Sequence, residues 1–207
     1  MNEMYTNDGG QFALLIMAAT VIASVASFLS RQFFEFNILH PYSIARGRSI
    51  HTLITGNMIH GDIPHLLFNM MSYYFFAFPL ERAIGSFEFC VVYFGAMLIG
   101  NLPSLVQQRN NPGYYTLGAS GAVSGIVFAM ILFDPLARYR MLFIPFPMPA
   151  FIFGIMYLAY SYFAARNAND NINHHAHLWG AIGGLIMLIL VKPGILSSFI
   201  LQLTGGI

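Results

Sequence analysis

Six stretches of this chain are apolar and roughly long enough to enter a bilayer: about residues 11–30, 64–80, 87–106, 114–133, 145–165 and 174–191. Crossing hydrocarbon takes about 20 apolar residues in a helix, and only helices or closed barrels satisfy every backbone group there. The chain is 57% hydrophobic and 8% charged, whereas a soluble domain carries about a quarter charged residues. It has too little polar surface to cover a soluble fold, so its outside must meet lipid. The expectation is an all-α, multi-pass integral membrane protein. It forms one domain over residues 1–207, with no internal repeat.

The connections carry further constraints. Glu3 and Asp8 precede the first span and no basic leader does, so no cleavable signal is expected. Residues 31–63 mix Arg31, Glu35, Arg46, Arg48 and His51 with Phe33, Phe34, Ile44, Ile50 and Leu53. That segment is too polar to span and too apolar to float, and a connection this long is normally functional or membrane-associated. It is expected to lie in the bilayer interface, with His51 and His60 hydrogen-bonding its irregular backbone. Pro64 suits the first turn of the second span. Asn101 and Pro103 predict a kink in the third. Basic residues divide almost evenly between the two sides; discounting three arginines of the long first connection places both termini in the cytoplasm. The net charge of +1 gives no field for nucleic acid, and Cys90, the only cysteine, excludes an internal disulfide. No residue pattern sets an oligomeric state.

A few polar residues stand inside or at the edge of these apolar runs, where a polar group is costly and usually functional. In the fourth stretch Leu117-Gly118-Ala119-Ser120-Gly121 puts a hydroxyl about two turns into an expected helix, between glycines. A lone serine there most often bonds the carbonyl four residues back. Gly121, Gly125 and Ala129 recur at four-residue spacing, a small-residue stripe that lets helices touch. The sixth stretch has a matching stripe at Gly180 and Gly184, and His177 shares its face. Packing the two stripes together would bring Ser120 within reach of the His177 ring.

The second stretch adds His65 and Asn69, an imidazole and an amide one turn apart. Two neutral donors so placed, with the backbone N–H of Ser120, can stabilise a tetrahedral oxyanion. Asp134 and Asp170 lie beyond the ends of their spans, so the pattern is a Ser–His dyad without an acid. His174, His175 and His177 invite a metal reading. Metal sites of this kind want three or four convergent ligands, and no Cys or HExxH pattern supplies the rest; neither a metal nor a cofactor is expected.

Together, His65-x-x-x-Asn69, Gly118-x-Ser120-Gly121 and Ala176-His177-x-x-Gly180-x-x-x-Gly184 resemble the signature elements of the rhomboid intramembrane serine proteases, in the family's order and on the expected spans. His60, Glu81 and Gly85 also match common family positions. The resemblance covers about residues 48–185. It implies a six-transmembrane-helix bundle with a long, lateral, membrane-embedded first loop. It implies Ser120 as nucleophile, His177 as general base, and His65, Asn69 and the Ser120 amide as oxyanion hole. The partners it implies are single transmembrane helices of other proteins, cut near their ends at small residues. Two positions depart from the family: Ile50-His51-Thr52 stands where many members carry Trp-Arg, and Ser124 where several carry a tyrosine that stacks on the catalytic imidazole. Two other functions compete with proteolysis. One is a catalytically idle, client-binding rhomboid-like protein, against which the intact Ser120/His177 pair argues. The other is a small transporter, whose usual broken helices or inverted repeat are missing from the sequence.

Overall fold

The computed structural model describes residues 9–139, 146–167 and 173–205. Helix α1 (Gln11–Leu29) ends at Ser30, whose side chain caps α2 (Arg31–Asn37) by accepting from Phe33 N–H at 3.2 Å. Two single-turn helices follow, α3 (Pro41–Ile44) and α4 (Thr52–Thr55). Asp62 then caps α5 (Ile63–Ile84) by accepting from His65 N–H at 2.7 Å, with Pro64 in the first turn. Gly85, at φ +97°, turns the chain straight into α6 (Ser86–Gln107). After a non-helical segment come α7 (Ser120–Phe133), the two-residue antiparallel strands β1 (Arg138–Tyr139) and β2 (Met148–Pro149), α8 (Ala150–Asn167), α9 (His174–Val191) and α10 (Ile195–Thr204). The chain is mostly helical. Among the described residues α1, α6 and α9 are long and apolar enough to cross a membrane, by length and composition.

The first connection is built rather than loose. Asn37 Nδ2 donates to the Phe33 carbonyl (2.8 Å), Asn57 Nδ2 to Leu53 (2.8 Å), and Thr52 Oγ1 to Ser49 (2.6 Å). His51 Nε2 donates to the Phe36 carbonyl at 2.9 Å while its ring stacks on Phe36. His60 is fully buried, with Nδ1 2.9 Å from Ser24 Oγ, which itself donates to the Met58 carbonyl (3.0 Å). Since the Ser24 hydroxyl proton is committed to Met58, His60 carries its proton on Nδ1. These bonds satisfy the irregular backbone locally.

One expectation needs correction. The fourth apolar stretch is not a helix from Tyr114: α7 begins at Ser120, and residues 113–119 lie outside any helix. Leu39 and Thr116 exchange backbone hydrogen bonds (3.1 and 3.0 Å), and Gly118, at φ +103°, donates to the Gly56 carbonyl (2.9 Å). The first connection therefore claims backbone groups that a longer helix would have needed. Ser120 sits in the first turn, not two turns in. Pro79 and Pro103 lie inside α5 and α6 without ending them, and α10 forms beyond Lys192-Pro193-Gly194, where no element was expected. The expected start of the fifth stretch near Pro145 and the hydrophilic residues 168–172, including Asp170, lie outside the described residues.

Helix α9 runs between α6 and α7 on small residues. A Cβ on Gly100 of α6 would stand 3.3 Å from Gly180 Cα, and one on Gly183 would stand 3.1 Å from Ala96 Cα. Apolar burial drives little in a lipid surrounding, so such close backbone packing is the main source of helix association. Glu81 adds a polar tie. Fully buried, it accepts from Ala13 N–H (2.7 Å), Phe12 N–H (3.2 Å) and Ser86 Oγ (2.7 Å), joining the positive end of α1 to α5 and α6.

Candidate active site

The site forms where α7 and α9 touch. A methyl on Gly180 would overlap the Gly121 carbonyl, and one on Gly184 the Gly125 carbonyl. One on Gly121 would stand 3.3 Å from the Ala176 carbonyl oxygen. Ser120 precedes Gly121 and His177 follows Ala176, so the two candidate residues flank one backbone contact. As the first residue of α7, Ser120 has its N–H in the turn whose amides lack helical acceptors. A helix N-terminus of this kind suits developing negative charge.

His65 projects from the first turn of α5 toward the segment that precedes the serine. A Cβ on Gly118 would lie 2.8 Å from His65 Cε1 and 3.0 Å from Nε2, so only glycine lets the imidazole sit this close. Asn69 is buried one turn later and spends one of its two N–H bonds on the His65 carbonyl (3.1 Å). Behind His65 stands His60, ring centroids 4.8 Å apart and edge to face. Burial, and then the neighbouring His65, pushes the His60 imidazole down to about 4.

Several contributors were not foreseen. Asn173 caps α9 by accepting from Ala176 N–H (3.1 Å), while its Nδ2 lies 2.9 Å from Ser104 Oγ, 3.2 Å from Thr116 Oγ1 and 3.3 Å from Tyr114 Oη. One amide thus joins the end of α6, the segment before Ser120 and the start of α9. Asn173 also lines a small cavity of about 10 Å³, together with Asn57, Asn101, Thr116 and Ser120 among others. That is about the room one water centre needs. Asn173 borders as well an open cleft of about 240 Å³ with Gln107, Gln108, Tyr114, His174 and His175. Ser124, where a stacking tyrosine would stand by resemblance, is 2.7 Å from the hydroxyl of Tyr157 on α8. Among the described residues, His174 stands edge to face against the His177 ring, with centroids 5.9 Å apart. Only the i, i+3 spacing of 174 and 177 hinted at this pair.

Comparison with known proteins identifies the family. The family model described as the Rhomboid domain matches residues 47–194. YdcA of Bacillus subtilis strain 168, classed with the rhomboid proteases, is 36% identical over 140 residues, covering 67% of this chain and 65% of that protein. The mitochondrial RHOMBOID-like protein 12 of Arabidopsis thaliana is 28% identical over 202 residues (86% of this chain, 59% of that protein). The rhomboid protease GluP of Bacillus subtilis is 30% identical over 132 residues (64% and 24%). The chain therefore spans under two thirds of the length of each of these relatives.

Proposed function

The chain belongs to the rhomboid family, and we propose that it is a serine endopeptidase that cuts transmembrane segments of other membrane proteins inside the bilayer. Its apolar helices and its family make it an integral membrane protein. In this reading α1, α5, α6, α7, α8 and α9 are six crossings of one domain over residues 1–207. The segment carrying α2 to α4 is a first loop lying in the interface, and the termini are cytoplasmic. The length of α7 supports a buried nucleophile. Fourteen residues rise about 21 Å, short of the roughly 30 Å of hydrocarbon, so a helix ending at one surface starts below the other.

The observation that supports the reading is the close backbone approach of Gly121 to Ala176, the chain neighbours of Ser120 and His177. Ser120 Oγ attacks the scissile carbonyl carbon as its proton passes to the His177 imidazole. The carbonyl oxygen gathers negative charge against the Ser120 N–H, His65 and the free N–H of Asn69. When the tetrahedral centre collapses, the C–N bond breaks and His177 returns the proton to the leaving amine. Water then adds to the serine ester through the same base, releasing the acid product. Gly121, Gly125, Gly180 and Gly184 hold the two helices at the distance this needs.

Fluorophosphonate labelling tests the reading. Purified protein should label on Ser120, lose the label in Ser120→Ala, and cleave a transmembrane-helix reporter that the variant leaves intact. A client-binding protein without activity, or a transporter, would bind or move its ligand with Ser120 unlabelled.

A further inference from the structure

The turn between α3 and α4 carries two arginines without a counter-ion, and a third reaches it from the end of α6. Residues 45–51 are exposed throughout. Arg46 and Arg48 stand two positions apart there, and Arg109 lies just beyond α6. Among the described residues none of the three meets a carboxylate: Glu35 is taken by Arg31 at 2.7 Å, Glu88 by Lys192 at 3.4 Å, and Asp62 caps α5. Ser49, in the same turn, holds φ 53°, the one non-glycine residue at positive φ among those described. Strain of this kind persists where the surroundings over-determine it, and it gathers at ligand clamps.

Arg46 is fixed in place. Its guanidinium lies 3.5 Å over the Tyr42 ring. Nη1 donates to the Tyr42 carbonyl (2.9 Å) and to the Arg109 carbonyl (3.0 Å). Those two bonds use both hydrogens of Nη1. They leave the Nε–Nη2 edge, a fork of parallel N–H groups that two phosphate oxygens can accept side by side. Apolar side chains follow in the chain: Ile50 and Ile54 are exposed, as is Phe36, on whose ring His51 stacks. One surface therefore offers cations to a headgroup and hydrocarbon to its acyl chains.

We propose that Arg46, Arg48 and Arg109 form a binding site for the phosphate of an anionic phospholipid, which holds the first connection at the membrane surface. This rests on the interfacial placement of that segment and not on catalysis. On the side opposite the termini, these cations run against the usual charge bias of membrane loops. A bound anionic headgroup supplies the missing counter-charge. Near a charged membrane surface each arginine is worth about fivefold in lipid enrichment, so three give on the order of 10²-fold. A zwitterionic headgroup offers the same phosphate but cancels its charge with an ammonium, so selectivity between the two lipids is the signature.

Brominated lipids quench a nearby tryptophan, and Trp179 is the only one in the chain. The test uses Trp179→Phe/Ile50→Trp protein in phosphatidylcholine vesicles. Dibrominated phosphatidylglycerol should half-quench the reporter at a mole fraction about tenfold or more below that needed for dibrominated phosphatidylcholine. Arg48→Gln and Arg109→Gln should each lower that selectivity about fivefold. Arg46→Gln, which also removes the fixed fork, should lower it by at least as much. Arg48 is exposed, so its variant stays informative where Arg46→Gln does not fold. Equal quenching by the two lipids, or a selectivity unchanged in both Arg48→Gln and Arg109→Gln, overturns the proposal. So does its loss to added inorganic phosphate, which would assign the fork to a soluble anion. Quenching by neither lipid overturns the interfacial placement and the proposal with it. None of these readouts involves Ser120, so the peptidase reading stands or falls separately.

Discussion

Gly180 of α9 packs its Cα against the backbone of Gly121 on α7, so closely that a single methyl on Gly180 would overlap the Gly121 carbonyl. The obstruction is backbone, which cannot swing aside as a side chain does. Gly180→Ala and Gly184→Ala should each destabilise the protein by about 1–3 kcal/mol, the usual range of overpacking in a tight core. Gly194→Ala, with nothing within 4 Å of the added carbon, should be neutral. Thermal unfolding in detergent checks all three, and equal midpoints for Gly180→Ala and Gly194→Ala would contradict the packing described.

For the oxyanion assignment, Asn69→Ala should lower the rate of reporter cleavage about 10²-fold with little change in KM, the usual loss for one donor. Sharing of the load with His65 would make the single loss smaller and the double loss larger. Unchanged turnover in the His65/Asn69 double variant would remove both from the mechanism.

Between α7 and α8 the Ser124–Tyr157 hydrogen bond (2.7 Å) should appear as coupling. Ser124→Ala and Tyr157→Phe are each expected to cost about 1 kcal/mol of stability. The double variant should cost less than their sum, because both delete one interaction. Strict additivity would mean the two hydroxyls act apart.

His60 gives the fold an acid limit. Its ordinary value of 6.5 falls to about 4 in the folded protein, so the unfolded chain binds a proton first. Stability from the neutral, buried ring is fully present above about 6.5 and is lost as pH falls from there toward about 4. The loss is on the order of 3 kcal/mol at the acid end. Unfolding midpoints of wild type and His60→Gln should converge over that window, and parallel curves would assign the acid sensitivity elsewhere.

The apolar runs made the helices legible because each is a local pattern of sufficient length. The glycine stripes were legible for the same reason: Gly121 and Gly125, like Gly180 and Gly184, repeat within one turn of each other. Their third partner carries the same mark, unaccompanied by any candidate reactive residue: Ala96 and Gly100 of α6, also four residues apart, meet α9. The start of α7 was misread because Tyr114, Tyr115 and Leu117 look as apolar as the helix after them. What decides their conformation is a strand-like pairing with Leu39, 77 positions away from Thr116 by number. The Asn173 junction was invisible likewise, its four polar groups coming from three separate parts of the chain.

That pairing of Leu39 with Thr116, and of Gly118 with Gly56, has an outcome for anyone reading variants of this protein. The strand of chain leading to Ser120 is moored to a region far upstream, so damage there travels along the mooring. On the peptidase reading, substitutions around residues 39–56 will mimic the loss of Ser120 by shifting the segment that leads to it.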